Sequence, residues 1–183
     1  MRYIKKYEAF NSILLNLSNN VDIELVDRIK SLINKGDSIL EISCGNGADS
    51  IALSKDYNVV STDTDQGYVD YTNSKGVECI NHDTLKEFPF NDKNFNLIYS
   101  RLGLHYFSKY ELISIFDELY RICDGYLLFT VKLVNDIPTG KVILTKEDWE
   151  DIVNNNFTIL KSDVRNGILY DNESTWLEIL AKV

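Results

Sequence analysis

Between the apolar run Ile39-Leu40 and a helix-compatible segment starting at Ala48 lies Glu41-Ile42-Ser43-Cys44-Gly45-Asn46-Gly47, a short loop with two glycines one residue apart. A chain that leaves a buried strand through such a loop and re-enters as a helix has few folds open to it. The turn must reverse sharply, and a ligand approaches the backbone closely only where no Cβ intervenes. The next two apolar runs end in acids, Asp63 after Asn58-Val59-Val60 and Asp83 after 77–80. Three strand ends then face one nucleotide-like ligand.

Helical and extended signals alternate on either side. Tyr3, Tyr7, Phe10, Leu14 and Leu17 recur at helical spacing, and Ile23, Val26, Ile29 and Ile33 do so again before Gly36, a helix stop. Short apolar runs over 38–42, 58–62, 77–80, 95–99 and 126–133 read as strands, separated by helices over 48–55, 68–74 and 109–123. Nearly continuous apolar strands between helices indicate a parallel sheet covered on both faces. The pattern then changes: Pro138-Thr139-Gly140 forms a turn, and Thr145-Lys146-Glu147-Asp148 resembles a capping box opening a helix to about 154. Strands over 157–163 and 174–181, joined through Asn166-Gly167 and Asp171-Asn172, read as a terminal antiparallel hairpin. The expectation is an α/β chain with one domain over 1–183, whose residues 1–35 form N-terminal helices and a candidate lid.

Charge narrows the partners. A net charge of -9 argues against nucleic acid and anionic membrane, both of which call for a basic footprint. No run reaches the roughly 18 apolar residues of a membrane span, and the amino terminus has no signal-peptide core. Cys44, Cys79 and Cys123 are odd in number, widely spaced and set in apolar runs, so they read as reduced buried thiols rather than a disulfide framework or a metal site. A cytoplasmic location is the expectation. Whether the chain forms a homo-oligomer is left open.

These residues resemble the class I S-adenosylmethionine-dependent methyltransferases, small-molecule type. The family's loop is acidic-x-Gly-x-Gly-x-Gly; Glu41, Gly45 and Gly47 match it and Ser43 replaces the first glycine. If φ at Ser43 is positive, the departure costs about 1 kcal/mol or more. The segment from Phe88 to Ile98 is similar to the family's approach to its fourth strand, and Leu104-His105-Tyr106-Phe107 is similar to the family's segment after that strand. The resemblance implies a doubly wound Rossmann-like domain with a seven-stranded, mostly parallel sheet in the order 3-2-1-4-5-7-6. It implies methyl transfer from S-adenosylmethionine to O, N or C of a small-molecule acceptor. Ser43, Gly45 and Gly47 would line the methionine part, with Glu41 below the loop. Asp63, beside Thr64, would accept the ribose hydroxyls, and Asp83 with the backbone of Thr84 would address adenine. Ser100 would close the methionine side, Tyr7 would cover the site, and His105 is the acid-base candidate near the mouth.

Other readings stand beside these. Gly45-Asn46-Gly47-Ala48-Asp49-Ser50 nearly spells a dinucleotide fingerprint, with Asp63 at a suitable distance. A diphosphate would meet an acidic rim of Glu41, Asp49, Asp63, Asp65 and Asp83, with no lysine or arginine between Glu41 and Ser54. That charge favours a sulfonium. Asp63 also reads as a solvated loop carboxylate, Asp83 as a turn or N-cap, Tyr7 and His105 as packing residues, and Arg101 as either a steering cation or half of an ion pair. A non-catalytic S-adenosylmethionine-binding partner or sensor subunit is the alternative to an enzyme. The loop Ser100-Arg101-Leu102-Gly103 lacks the Asn/Asp-Pro-Pro-aromatic pattern of base and glutamine N-methylation.

Overall fold

In the computed structural model, residues 20–133, 144–166 and 175–183 are described. The expected first helix with Tyr7, the turn at Pro138 and the tip of the terminal hairpin lie outside them. The elements are α1 (Ile23–Leu32), β1 (Ser38–Ile42), α2 (Ala48–Leu53), β2 (Asn58–Asp63), α3 (Gln66–Ser74), β3 (Glu78–Asn81) and β4 (Phe95–Arg101). A 3-10 turn (Leu104–Tyr106), α4 (Lys109–Ile122), β5 (Cys123–Leu133), α5 (Lys146–Asn154), β6 (Thr158–Asn166) and β7 (Thr175–Lys182) follow.

The seven strands form one sheet in the order β3-β2-β1-β4-β5-β7-β6. β1 to β5 pair in parallel, and β7 runs antiparallel to both β5 and β6. This is the doubly wound, Rossmann-like arrangement with its terminal antiparallel hairpin. Successive strand residues face opposite layers. Leu40, Ile98 and Leu127 meet Leu112, Phe116 and Leu119 of α4 and Trp149 and Ile152 of α5. Ile39, Leu97 and Leu128 meet Leu25, Val26 and Ile29 of α1 and Leu53 of α2. Both layers are therefore dry, which is why these strands read as apolar runs without alternation.

The helix ends follow their local sequence. Ser108 and Glu111 close a capping box at α4, and Thr145 and Asp148 close the expected one at α5. Asp22 accepts the Leu25 amide at 3.0 Å to start α1. The connection before β4 is clamped to α4. Glu118 accepts the Phe88 amide at 2.8 Å, and Arg121 donates to the carbonyls of Phe88 and Phe90 at 3.1 and 2.9 Å. Arg121 holds the Glu118 carboxyl below its usual range. Among the described residues no helix is long and apolar enough to cross a membrane.

Candidate functional site

Strand order reverses direction between β1, which connects outward through β2 and β3, and β4, which connects outward through β5. Loops leaving the carboxyl ends of two such strands diverge to opposite sides and open a crevice between them. Here those loops are 43–47 and 102–107. The crevice is thus a product of topology, and its chemistry depends on what the two loops carry.

In the first loop, Ser43, Gly45 and Gly47 all adopt left-handed backbone, with φ of 57°, 54° and 66°. Serine occupies a conformation that favours glycine, at a cost of about 1 kcal/mol. The two glycines serve different ends. Among the described residues nothing lies within 4 Å of a Cβ placed at Gly45, whereas one at Gly47 would lie 2.6 Å from Thr72 Oγ1 on α3. Gly47 therefore lets the loop pack on α3, while no described residue fills the space beside Gly45. The Gly45 amide donates to Asp63 Oδ2 at 2.8 Å, and Asp65 donates its amide to Asp63 Oδ1 at 2.9 Å. The carboxylate at the end of β2 is thereby aimed along the loop, with lone pairs to spare.

The second loop touches the first. Leu102 has φ of 65°, and a Cβ at Gly103 would fall 2.6 Å from Ser43 Cβ and 2.7 Å from Ser100 Oγ. Ser100 donates to the Ile42 carbonyl at 3.1 Å, stitching the ends of β1 and β4 together. Motif reading does not single out Gly103, because only the fold brings position 103 against position 43.

Beneath the loop lies a buried polar row. Glu41 stands opposite Ser61 on β2 and Tyr99 on β4, so all three side chains enter the α1 and α2 layer together. Ser50, from α2, donates to Glu41 Oε2 and lies 2.6 Å from Ser61 Oγ. Burial, reinforced by the Asp49 charge, raises the Glu41 carboxyl well above its usual range against the opposing pull of Ser50, Tyr99 and Arg101. Asp49 is fully buried and pairs with Arg101 Nε at 2.7 Å, while accepting the Asp22 amide at 2.8 Å. Burial raises Asp49 too, and Arg101 opposes the shift. A period-two reading of the strand ends shows Glu41, Ser61 and Tyr99 on one face; the Asp49–Arg101 pair has no such signature.

The remaining sequence candidates disperse around this centre. Thr64 is exposed at the end of β2, and its carbonyl accepts from Asn81 at 3.1 Å. Asp83 is half-buried after β3, where its carboxylate accepts the Leu85 amide at 3.1 Å, and Thr84 beside it is buried. His105 is half-buried in the 3-10 turn, its ring 4.4 Å from that of Tyr106. The acidic rim is smaller than the sequence suggests, since Asp49 turns inward to Arg101 and Asp65 caps α3 through the Gly67 amide at 2.8 Å. Among the described residues no group of three or more His, Cys, Asp or Glu is placed to hold a metal ion.

Residues 39–124 match the family model of a methyltransferase domain. Solved structures with this fold include a SAM-dependent methyltransferase from Methanosarcina mazei, 17% identical, with a TM-score of 0.70 over 85% of this chain and 96% of that one. Another is the geranyl diphosphate C-methyltransferase of Streptomyces coelicolor, 13% identical, with a TM-score of 0.71 over 87% and 79%. A 4+2 cyclase is equally similar in fold, 15% identical, with a TM-score of 0.71 over 87% and 80%. No curated protein matches the sequence. The chain resembles the class I S-adenosylmethionine-dependent methyltransferases both in its domain match and in its strand order.

Proposed function

From the methyltransferase-domain match and the crevice at the β1–β4 reversal, we propose that this chain binds S-adenosylmethionine and transfers its methyl group to an oxygen, nitrogen or carbon atom of a small-molecule acceptor. The observation that carries this reading is the junction of Asp63 with the loop: a half-buried carboxylate at the end of β2, locked by the Gly45 amide where no described residue lies within 4 Å of a Cβ placed at Gly45. Such a carboxylate has the paired acceptors that two ribose hydroxyls require. The site fits the group. When bound, S-adenosylmethionine supplies a methyl carbon made electrophilic by its sulfonium.

The chain's own residues divide the remaining work. Gly45 admits the ligand to the backbone, Ser43 and Gly47 set the loop's turns, and Glu41 supports the loop from below through Ser50. Asp63 with Thr64 takes the ribose side, Asp83 with Thr84 the adenine side. Ser100 keeps the two strand ends in register. His105, at the mouth, takes the acceptor's proton where the acceptor carries one. Holding acceptor and methyl in line, with water excluded, supplies much of the acceleration, so loss of His105 weakens turnover without abolishing it. Arg101 donates to the Asn20 carbonyl at 3.0 Å, anchoring the chain at Asn20 beside the crevice. The candidate lid before Asn20 lies outside the described residues. α1 buries Leu25, Val26 and Ile29 against the sheet, so it is left to the core. Three free thiols support a reducing, cytoplasmic setting.

Ser50 bears against a dinucleotide. The third glycine of that fingerprint permits close helix-to-strand packing, and here the position holds a buried side chain bonded to Glu41. The cyclase among the fold's members supports a second reading, in which the nucleoside pocket is kept without methyl transfer. Calorimetric titration with S-adenosylhomocysteine, with NAD in parallel, tests the first step: micromolar affinity for the former alone is expected, and Asp63→Ala should weaken it at least tenfold in folded protein. Absence of binding by the folded wild type overturns the reading. Tight binding without turnover across O, N and C acceptors selects the second.

A further inference from the structure

We propose that Cys44 and Cys79 form a reversible disulfide that ties the crevice loop to β3 and lowers the affinity for S-adenosylmethionine. Their sulfurs are 3.6 Å apart, and both residues are buried, forming with Val69 a small cluster separate from the two main cores. The consequence for affinity rests on the reading of the crevice given above. The bond itself does not.

The two cysteines differ in what holds them. Cys79 is fixed on β3 opposite Ser61, and the Asn73 side chain brackets its backbone, accepting its amide at 3.0 Å and donating to its carbonyl at 2.8 Å. Cys44 sits in the loop between two left-handed residues, Ser43 and Gly45. A disulfide brings sulfurs to about 2.05 Å, so the pair must close by about 1.5 Å. Cys44 is held as well, its amide donating to the Thr62 carbonyl at 3.0 Å and its carbonyl accepting the Gly47 amide at 2.9 Å, so closure beyond what side-chain rotation absorbs strains those bonds and the turn at 43–47. The residue next to Cys44 is Gly45, whose amide is bonded to Asp63, so closure shifts the backbone that the ligand meets and the carboxylate aimed along it.

The chemistry needs a two-electron oxidant, for which a hydroperoxide suffices. The Cys79 thiolate attacks the peroxide oxygen, breaking the O–O bond and leaving a sulfenic acid, with hydroxide taking up a proton as water. Cys44 sulfur then displaces the sulfenic oxygen as a second water and forms the S–S bond. Two thiols are oxidised and one hydrogen peroxide is reduced. The Cys44 thiol, by hydrogen-bonding to Cys79, holds Cys79 below the usual thiol range, which suits it to be the attacking group. The same bond first, and burial second, push Cys44 up, so it enters as the resolving thiol. Cys123 lies apart in the other core and serves as an internal control.

Reduced protein would be treated with hydrogen peroxide, then alkylated under denaturing conditions and weighed, with parallel titration by S-adenosylhomocysteine. The expected result is a loss of about 2 Da, one alkylatable thiol remaining at Cys123, affinity at least tenfold weaker, and full recovery with dithiothreitol. Cys79→Ser, or Cys79→Ala should serine fail to fold, should keep its affinity through the same treatment. Three alkylatable thiols after treatment, or a bridge mapped to Cys123, overturn the proposal. So does a Cys44–Cys79 bridge that leaves affinity within twofold. Reduced wild type that fails to bind S-adenosylhomocysteine overturns the crevice reading and with it the consequence, while the thiol count still decides the bond.

Discussion

The sheet row Val60-Leu40-Ile98-Leu127 and the next row, Ser61-Glu41-Tyr99-Leu128, are one residue apart along the strands and face opposite layers. The first meets Phe116, Leu112 and Trp149 in an apolar core. The second carries a carboxyl, a hydroxyl and a phenol into a layer that elsewhere holds Ile39, Leu97 and Leu25. Apolar burial stabilises in proportion to area and tolerates any geometry that excludes water, whereas buried polar groups stabilise only when each finds its partner. The polar row is therefore the more exacting one, and it lies directly beneath the crevice loop. One face of the sheet holds the fold together; the other fixes the loop's position.

Phe116→Ala gives the largest expected effect of this division. It should cost about 3–5 kcal/mol by urea unfolding, because the fully buried ring leaves a cavity between α4 and β5. Affinity of the folded fraction for S-adenosylhomocysteine should stay within about twofold; a matching loss of affinity would erase the distinction between the faces. Arg101→Met comes next, at about 3 kcal/mol, since it strips the fully buried Asp49 of its cation. Here binding should weaken as well, and adding Asp49→Asn should recover much of the stability.

The pH dependence of the polar row is a smaller effect, and its sign follows from burial. Glu41 keeps its proton in the folded chain at pH values where the unfolded chain has lost it. Its contribution is thus fully present below the ordinary glutamate range of about 4.3 and fades as pH rises through the raised folded value. Denaturant midpoints for wild type should fall between about pH 5 and about pH 8.5, and Glu41→Gln should flatten that slope; an unchanged slope would remove Glu41 from the titration. Smallest is Ser43→Gly, expected to stabilise by no more than about 1 kcal/mol, the relief of left-handed strain being partly offset by glycine's unfolded-state entropy. Affinity should be unchanged, and a loss would make the Ser43 hydroxyl a ligand contact.

Much of the fold was legible because its signals are local. The runs at 38–42, 58–62 and 95–99 are largely buried on both faces, the Thr145 capping box is self-contained, and the loop at 41–47 announces its own turns. Of the site, Glu41 and Asp63 stood out because they end apolar runs. Gly103 did not, since its constraint is a contact with Ser43 across the crevice. Sequence alone puts Asp49 in an acidic rim, because nothing near it in sequence shows the cation that draws it inward.

Residue order alone specifies the elements, their succession and the acidic, glycine-bearing loop, all of which arise from interactions within a few residues. Only the closed fold establishes that Arg101 neutralises Asp49, that Ser61, Glu41, Ser50 and Tyr99 share one buried network, and that Cys44 comes within 3.6 Å of Cys79. Those pairings join residues on different strands and helices. Their proximity is set by sheet register and by the loop's left-handed turns, and it arises only when the chain has closed on itself.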